Sequence, residues 1–296
     1  MRPFLVPVIA LALAGCVRAG NASDEHSDHV SADATGARTV ASQPSAALPP
    51  GADDAAARLQ NSPRHGEWVA IRTGPADSVM AWVVFPERST KAPVVVVVHE
   101  IFGLSTWVRG VADQLAADGF IAIAPDLLTM KRSGNLTSEW PADSARAVIR
   151  ELQTANVQRD ISAVAQYGMG LPAALPRYGV VGYCWGGSAV FQHAVAAPSL
   201  GASVVYYGGS PPSEQLGSVR APVLGLYGGD DARVNATIPP ADSAMKALGK
   251  SFEHHEFTGA GHGFLRNQAG NNGANLEATK QAWPRTIAFF RKHLGA

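Results

Sequence analysis

The most regular pattern along the chain is an unbroken apolar run from Val94 to Val98, in which every residue is β-branched. A run of this kind is typical of a strand buried on both faces, as the inner strands of a parallel sheet are. Shorter apolar stretches bounded by turn residues predict further strands. The predicted strands are 68–72, 79–86, 93–99, 120–124, 178–183, 202–207, 223–227 and 251–257. The last of these is polar enough to lie at a sheet edge.

Stretches with helical spacing of apolar residues lie between most of these strands. In the first of them, Val108, Val111 and Leu115 share one helical face and Gly119 follows as a stop signal. The predicted helices are 107–118, 141–167 with an interruption near Asn156, 188–197, 240–248 and 276–294. The alternation of strands and helices predicts an α/β fold with a mainly parallel central sheet and helices on both faces. The first two strands are expected to form an antiparallel pair.

The beginning of the chain predicts a targeting segment. A short positive start precedes an apolar run at 4–12 that is too short to cross a membrane. The sequence Leu-Ala-Gly-Cys that ends at Cys16 resembles a bacterial lipobox, in which the cysteine is lipidated and becomes the mature N-terminus. We therefore expect residues 1–16 to be a lipoprotein-type signal peptide. The protein would be exported to the periplasm or cell envelope and would contact a membrane only through this anchor. Simple cleavage after Ala19, with release of a soluble protein, is the alternative.

Composition indicates where the folded domain begins and which partners to expect. Residues 17–60 are rich in Ala, Ser, Asp, Gly and Pro without apolar periodicity, which predicts a disordered tether. The folded domain is predicted to begin at Ser62 and to continue to residue 296 as one domain. Lys and Arg together number 24, as do Asp and Glu, so the formal net charge is zero. A neutral chain gives no reason to expect nucleic acid as a partner, and we expect a monomer.

The strongest chemical signal follows the strand predicted at 178–183. The sequence Gly-Tyr-Cys-Trp-Gly-Gly at 182–187 has the form of a nucleophile elbow, with Cys184 where serine is more usual. Small residues flank such a nucleophile because its backbone is strained and neighbouring segments pass close by. The next backbone N–H can then face a developing oxyanion. The alternative is that Cys184 is an inert thiol that packs as a small hydrophobe.

Two further polar residues follow later strands, at the edge where sites form in open α/β sheets. Asp231 comes after the strand at 223–227, and His262 comes after the last strand. The chain order of nucleophile, acid and histidine is that of α/β-hydrolases, so the sequence predicts that Cys184, Asp231 and His262 act together. Asp231 could instead be a turn former, with Asp230 as the acid, and His262 a loop histidine with structural hydrogen bonds.

Five short segments together resemble the dienelactone hydrolase family, over the chain from about Trp68 to its C-terminus. These segments are Val-His-Glu-Ile-Phe-Gly at 98–103, Ala-Pro-Asp-Leu at 124–127, the elbow at 182–187, Tyr-Tyr-Gly at 206–208 and Gly-His-Gly-Phe at 261–264. The resemblance implies an α/β-hydrolase fold and a triad of Cys184, His262 and Asp231. It also implies an oxyanion hole formed by the backbone N–H groups of Ile101 and Trp185.

The resemblance implies roles for two charged residues as well. In the family, the glutamate that corresponds to Glu100 contacts the nucleophile thiol and is thought to take its proton when substrate binds. Arg266 matches a family arginine that binds the substrate carboxylate. A second family arginine has no clear counterpart, although Arg146 and Arg150 lie nearby. On their own, Glu100 would be interpreted as a polar strand end and Arg266 as a solvated loop cation.

The motifs and the resemblance predict a carboxylic ester or lactone hydrolase that forms an acyl-enzyme with a small-molecule substrate. Neither zinc-ligand spacing nor a phosphate-binding loop is present in the sequence, so no metal or cofactor is expected. His254 and His255 alternate along the last predicted strand and are interpreted as an edge pair. A membrane-anchored binding protein on a hydrolase scaffold, with little turnover, is the alternative from another class. A cysteine peptidase would share the nucleophile chemistry, but nothing in the sequence indicates a groove for an extended peptide.

Overall fold

A single sheet organises the part of the chain that the computed structural model describes, residues 48–295. Its strands are β1 (Gly66–Arg72), β2 (Ser78–Val84), β3 (Ala92–Val98), β4 (Ile121–Asp126), β5 (Ala174–Tyr183), β6 (Ala202–Tyr206), β7 (Val223–Gly228) and β8 (Phe252–Phe257). They lie in the order β1-β2-β4-β3-β5-β6-β7-β8. β2 pairs antiparallel with both β1 and β4, and all other neighbouring pairs are parallel. The predicted α/β fold with a mainly parallel sheet is confirmed.

Helices cover both faces of this sheet. They are α1 (Ala55–Gln60), α2 (Thr106–Ala117), α3 (Ala142–Ile149), α4 (Thr154–Met169), α5 (Trp185–Ala196), α6 (Ala232–Asn235), α7 (Ile238–Ala247) and α8 (Ala274–Leu294). α2 and α8 pack in the core on one face, and α4, α5 and α7 pack in the core on the other. The helical stretch predicted at 141–167, with an interruption near Asn156, is two helices, and the break lies slightly earlier, at 150–153, where Gln153 is extended and precedes α4.

The burial of the strands explains the sheet order. Every residue of β3 is buried, as its run of valines predicted for a central strand. Each buried valine side chain stabilises the fold by roughly 1.5–3 kcal/mol relative to an exposed one. β8 consists of half-buried and exposed residues up to the buried Phe257, and it lies at the sheet edge, where its polar side chains reach water. Because β3, β5, β6, β7 and β8 are parallel neighbours, their carboxyl ends meet at one edge of the sheet. Functional sites of open parallel sheets lie at this edge.

Ordered structure before β1 includes residues that composition had predicted to be a disordered tether. Residues 48–61, here called the N-terminal strap, pack against the domain, with Leu48 and Ala55 buried. Trp107 Nε1 donates to the Pro50 carbonyl at 3.0 Å. Arg58 donates to the Leu48 carbonyl and to the Gln114 side chain, each at 2.7 Å. The predictions of a disordered tether to residue 60 and of a domain that begins at Ser62 are therefore wrong for residues 48–61.

The strap is held by contacts from distant parts of the chain, which composition cannot reveal. A glycine of α2 allows the strap to pack closely, because a Cβ added at Gly110 would lie 2.7 Å from Pro50. The predicted signal peptide, Cys16 and residues 17–47 lie outside the described residues, so the lipid anchor stays a prediction. Within residues 48–295, no helix is both long enough and apolar enough to cross a membrane.

Candidate active site

The turn between β5 and α5 has the geometry expected of a nucleophile elbow. Cys184 lies at its apex with φ 56° and ψ −116°, a conformation that residues with side chains rarely adopt. A Cβ at Gly182 would collide with the Gly186 carbonyl, and one at Gly186 would collide with the His99 carbonyl. The glycines are therefore required by close backbone contacts, and the strained turn presents the Cys184 thiol at the sheet edge.

Cys184, His262 and Asp231 form one hydrogen-bonded line. His262 Nε2 lies 3.0 Å from Cys184 Sγ, and His262 Nδ1 lies 2.5 Å from Asp231 Oδ2. With Nδ1–H donating to the carboxylate, Nε2 is free to accept the thiol proton. Asp231 is buried and also accepts from the Val234 N–H at the start of α6. The structure thus brings together the three residues that the sequence placed at separate strand ends.

The alternative residues lie elsewhere. Asp230 is exposed and contributes its backbone N–H to the Ala260 carbonyl at 3.0 Å. His255 Nε2 lies 2.9 Å from Glu253, and His254 Nε2 lies 3.8 Å from Asp242, both along the outer strand β8. Asp231 is accordingly the acid that faces His262, and the two β8 histidines are the edge pair that the sequence indicated.

The surroundings of Cys184 favour a neutral thiol at rest. Burial raises the pKa of the Cys184 thiol, and the nearby carboxylates of Glu100 and Asp231 raise it further. A hydrogen bond from the Trp185 N–H to the sulfur acts in the opposite direction but does not outweigh burial. A thiolate would therefore form only if the thiol proton were removed, and His262 Nε2, 3.0 Å from the sulfur, is the side-chain group in hydrogen-bond contact with it.

Glu100 and Arg266 share the cavity of Cys184 but are paired with each other. Arg266 Nε lies 2.8 Å from Glu100 Oε1, in an ion pair whose N–H does not point at the oxygen. Burial raises the pKa of the Glu100 carboxyl to about 7, although the Arg266 charge lowers it. The thiol has His262, not Glu100, as its side-chain hydrogen-bond partner. Within residues 48–295, Glu100 forms an ion pair with Arg266 and no hydrogen bond with the thiol, although its charge acts on the thiol, so the expected role of Glu100 stays a prediction.

An aromatic ring joins two arginines beside this ion pair. The guanidinium of Arg266 lies 4.8 Å from the Phe102 ring centre, and that of Arg146 on α3 lies 4.9 Å from the same ring. Such cation–π contacts hold the planar groups in place. Of the two candidates that the sequence offered for a second arginine, Arg146 is thus the one beside Arg266.

Two backbone N–H groups flank the nucleophile. Ile101 follows the end of β3 and lines the cavity, and its N–H takes part in no hydrogen bond within residues 48–295. The Trp185 N–H is at the start of α5, where the helix dipole favours negative charge. The Trp185 ring stacks on His99, with ring centres 5.6 Å apart, and lines a separate cavity of about 330 Å³. The ring therefore points away from the Cys184 cavity while its N–H faces the sulfur.

Sequence reasoning missed several residues around the thiol. Tyr207, whose φ is 40°, packs edge-on against His262 with ring centres 5.2 Å apart. The cavity, about 570 Å³, also contains Arg233 and, from the strap, Ala52 and Asp53. Only the Tyr-Tyr-Gly segment gave a signal for any of these. Within residues 48–295, no group of three or more His, Cys, Asp or Glu side chains is placed to share a metal ion.

The sheet order and the elbow define this protein as an α/β-hydrolase. The model of the dienelactone hydrolase family matches residues 79–294, and the chain belongs to that family. A Salmonella typhimurium protein named as a carboxymethylenebutenolidase is 30% identical over 231 residues, which cover 74% of this chain and 84% of that protein. A Methylorubrum extorquens protein of the same name is 30% identical over 228 residues, which cover 73% and 77%.

Solved structures show the same fold. A Klebsiella pneumoniae structure named as a dienelactone hydrolase is 27% identical, with a TM-score of 0.68, and the match covers 77% of this chain and 98% of that one. A dienelactone hydrolase-like promiscuous phosphotriesterase from metagenomic libraries is 23% identical, also with a TM-score of 0.68, over 78% of this chain and 98% of that one. At that lower identity the second likeness shows the fold alone.

Proposed function

We propose that this protein hydrolyses carboxylic esters or lactones through an acyl-enzyme formed on Cys184. The observation that carries the proposal is the line from the Cys184 sulfur to His262 Nε2 at 3.0 Å and from His262 Nδ1 to Asp231 at 2.5 Å. A nucleophile, a base and a group that orients the base are the minimum that covalent acyl transfer needs. The names of the relatives, which denote hydrolysis of a lactone, support the same reaction class.

In the first half of the reaction, His262 Nε2 takes the thiol proton while the sulfur of Cys184 bonds to the substrate carbonyl carbon. The carbonyl oxygen becomes an oxyanion that accepts from the N–H groups of Ile101 and Trp185. Asp231 holds the ring and stabilises the imidazolium. When the intermediate collapses, the ester C–O bond breaks and the proton on His262 passes to the departing oxygen. A thioester on Cys184 remains.

In the second half, His262 removes a proton from water as the water oxygen attacks the thioester carbonyl. The carbon–sulfur bond then breaks, the sulfur regains a proton from His262, and the acid product leaves. For a lactone, the departing oxygen of the first half stays attached to the acyl group, so the single product is a hydroxy acid.

The ion pair of Glu100 and Arg266 suits a substrate that carries a carboxylate. Such a group can accept hydrogen bonds from Arg266 and Arg146 beside Phe102. Once Arg266 is engaged by substrate, its charge lowers the pKa of Glu100 less, and Glu100 is more readily protonated. A neutral Glu100 no longer repels a negative sulfur, so His262 takes the thiol proton more easily. A thiolate would then form mainly when substrate is present, as the family resemblance implies for this glutamate.

The test is hydrolysis of a short-chain nitrophenyl ester by the full chain. We expect Cys184→Ala to lower kcat/KM by about 10⁴-fold or more, because the nucleophile and its base act as a unit. Cys16→Ala removes the other cysteine of the chain and is the matched control, which should retain activity. Hydrolysis that persists in Cys184→Ala would mean that another group attacks the ester.

A binding protein with little turnover is the alternative from another class. An intact line of nucleophile, base and acid is not needed for binding, and none of the contacts around the cavity within residues 48–295 favours binding alone over catalysis.

A further inference from the structure

The N-terminal strap forms one wall of the cavity that contains Cys184. Ala52 and Asp53 line this cavity together with Cys184 and His262. The Ala52 N–H donates to the Arg266 carbonyl at 2.8 Å, so the strap is fastened to the loop that carries the cavity arginine. A strap residue is therefore in a position to select what approaches the thiol.

This wall is held firmly on both sides of Asp53. Before it, the Pro49 carbonyl accepts from Gln268 Nε2 at 3.0 Å, and the Pro50 carbonyl accepts from Trp107 Nε1 at 3.0 Å. After it, Ala55 is buried at the start of α1. The strap also precedes residue 79, where the match to the family model begins. It is thus a feature of this chain that the family match does not describe.

The influence of Asp53 on an anion that enters the cavity depends on the other charged residues that line it. Four of the lining residues are Asp, Glu or Arg, namely Asp53, Glu100, Arg233 and Arg266. Glu100 and Arg266 offset each other as an ion pair at 2.8 Å. Asp53 and Arg233, both exposed, provide the other two charges. The carboxylate of Asp53 therefore opposes the attraction that Arg233 exerts on an anion entering the cavity.

We propose that Asp53 is a specificity-determining residue, which selects against negative charge on the part of a substrate that lies against the N-terminal strap. The substrate class would then be esters or lactones whose charged group, if any, is directed towards Arg266 and Arg146, with an uncharged remainder. The inference rests on the proposed function for its meaning in catalysis, because it takes the Cys184 cavity as the place where substrate binds.

A pair of thiol reagents tests the charge selection without any turnover. Iodoacetate and iodoacetamide have almost the same size, and in both the Cys184 sulfur displaces iodide from a CH₂ group, but only iodoacetate is an anion. The rate of modification of Cys184 is measured for each reagent in the full chain by mass spectrometry of its peptide. At low ionic strength, Asp53→Asn should raise the ratio of the iodoacetate to the iodoacetamide rate about two- to fivefold, and salt should reduce this gain.

Asp54→Asn is the matched control, because it removes the same charge from the adjacent strap residue, which does not line the cavity. We expect Asp54→Asn to change the ratio of the iodoacetate to the iodoacetamide rate clearly less than Asp53→Asn does. It is overturned if Asp53→Asn leaves the ratio unchanged or lowers it, or if Asp54→Asn raises it equally. Because alkylation needs only the thiol, these outcomes are independent of whether the native protein hydrolyses esters.

Discussion

His262 and His193 each have both ring nitrogens engaged by side-chain partners, yet these partners differ in charge. His262, with 35% of its side chain exposed, lies between the Asp231 carboxylate and the Cys184 thiol. His193, in α5, has no exposed surface and lies between the Gln158 side-chain oxygen at 2.8 Å and the Tyr178 hydroxyl at 3.2 Å. A carboxylate stabilises the imidazolium that forms during proton transfer, and an amide does not. The partner side chains, rather than the imidazole itself, therefore determine whether a histidine is suited to proton transfer or to a structural hydrogen-bond network.

The two environments are linked by helix α5, which begins directly after Cys184. Gln158 also donates to the Ala189 carbonyl at 3.1 Å, so the His193 network fixes α5 against α4 and β5. Burial lowers the pKa of His193 to about 4, which keeps this ring neutral near pH 7. A neutral ring can donate from Nδ1 to Gln158 and accept at Nε2 from Tyr178, so each nitrogen is satisfied. The buried histidine supports the helix whose first turn faces the site.

The largest expected effect comes from giving His262 an amide partner like that of His193. Asp231→Asn keeps the size of the side chain but removes the charge and favours the wrong ring tautomer. We expect kcat/KM for a nitrophenyl ester to fall by about 10³- to 10⁴-fold. Asp230→Asn, one residue earlier and exposed, is the matched control and should retain most of the activity. A loss in Asp231→Asn no greater than that in Asp230→Asn would remove Asp231 from the proposed triad.

The contrast also shows what the sequence could predict. Cys184, Asp231 and His262 each follow a strand, and parallel strands bring their carboxyl ends to one edge, so their meeting could be expected from chain order. The choice between Asp230 and Asp231 needed side-chain directions. Their catalytic role stays a proposal. The buried valine run of β3 likewise predicted a central strand, because burial on both faces leaves a local pattern.

Two other features of the structure, the His193 network and the N-terminal strap, leave no recognisable pattern in the local sequence. Gln158, His193 and Tyr178 lie on three separate elements, and only the fold brings them together. The N-terminal strap has the composition of a linker, and the groups that hold it include Gln268, far along the chain. Its packing combines buried residues such as Leu48 and Ala55 with hydrogen bonds from groups far away along the chain. Such contacts depend on the finished fold and could not be predicted from the segment itself.

The second prediction uses the lowered pKa of His193. Below pH 6.5, the unfolded chain gains a proton at this residue while the folded protein, with a pKa of about 4, does not. The stability that the neutral ring provides is therefore present near pH 7 and is lost as the pH falls towards 4. This group alone should lower the free energy of unfolding by about 3 kcal/mol between pH 7 and pH 4.

Urea unfolding of native protein and His193→Asn at both pH values measures this loss. The variant is expected to be less stable at pH 7, so the relevant quantity is the difference between the two pH values within each protein. That difference should be smaller in His193→Asn by about 3 kcal/mol, because the side chain no longer titrates. Equal differences in the two proteins would show that the pKa of His193 is the same in the folded and unfolded states, which would contradict the lowered value.

The smallest effect expected is from Tyr178→Phe, which removes the hydroxyl that His193 Nε2 accepts from and leaves this nitrogen buried without a partner. We expect the free energy of unfolding to fall by about 1–2 kcal/mol. Ester hydrolysis should change little, because Tyr178 lies within β5, away from its end at Cys184. Tyr167→Phe, at a half-buried tyrosine of α4, is the matched control, with an expected change within about 0.5 kcal/mol. A large loss of kcat/KM in Tyr178→Phe would contradict this prediction and show that the His193 network affects ester hydrolysis through α5, which begins at Cys184.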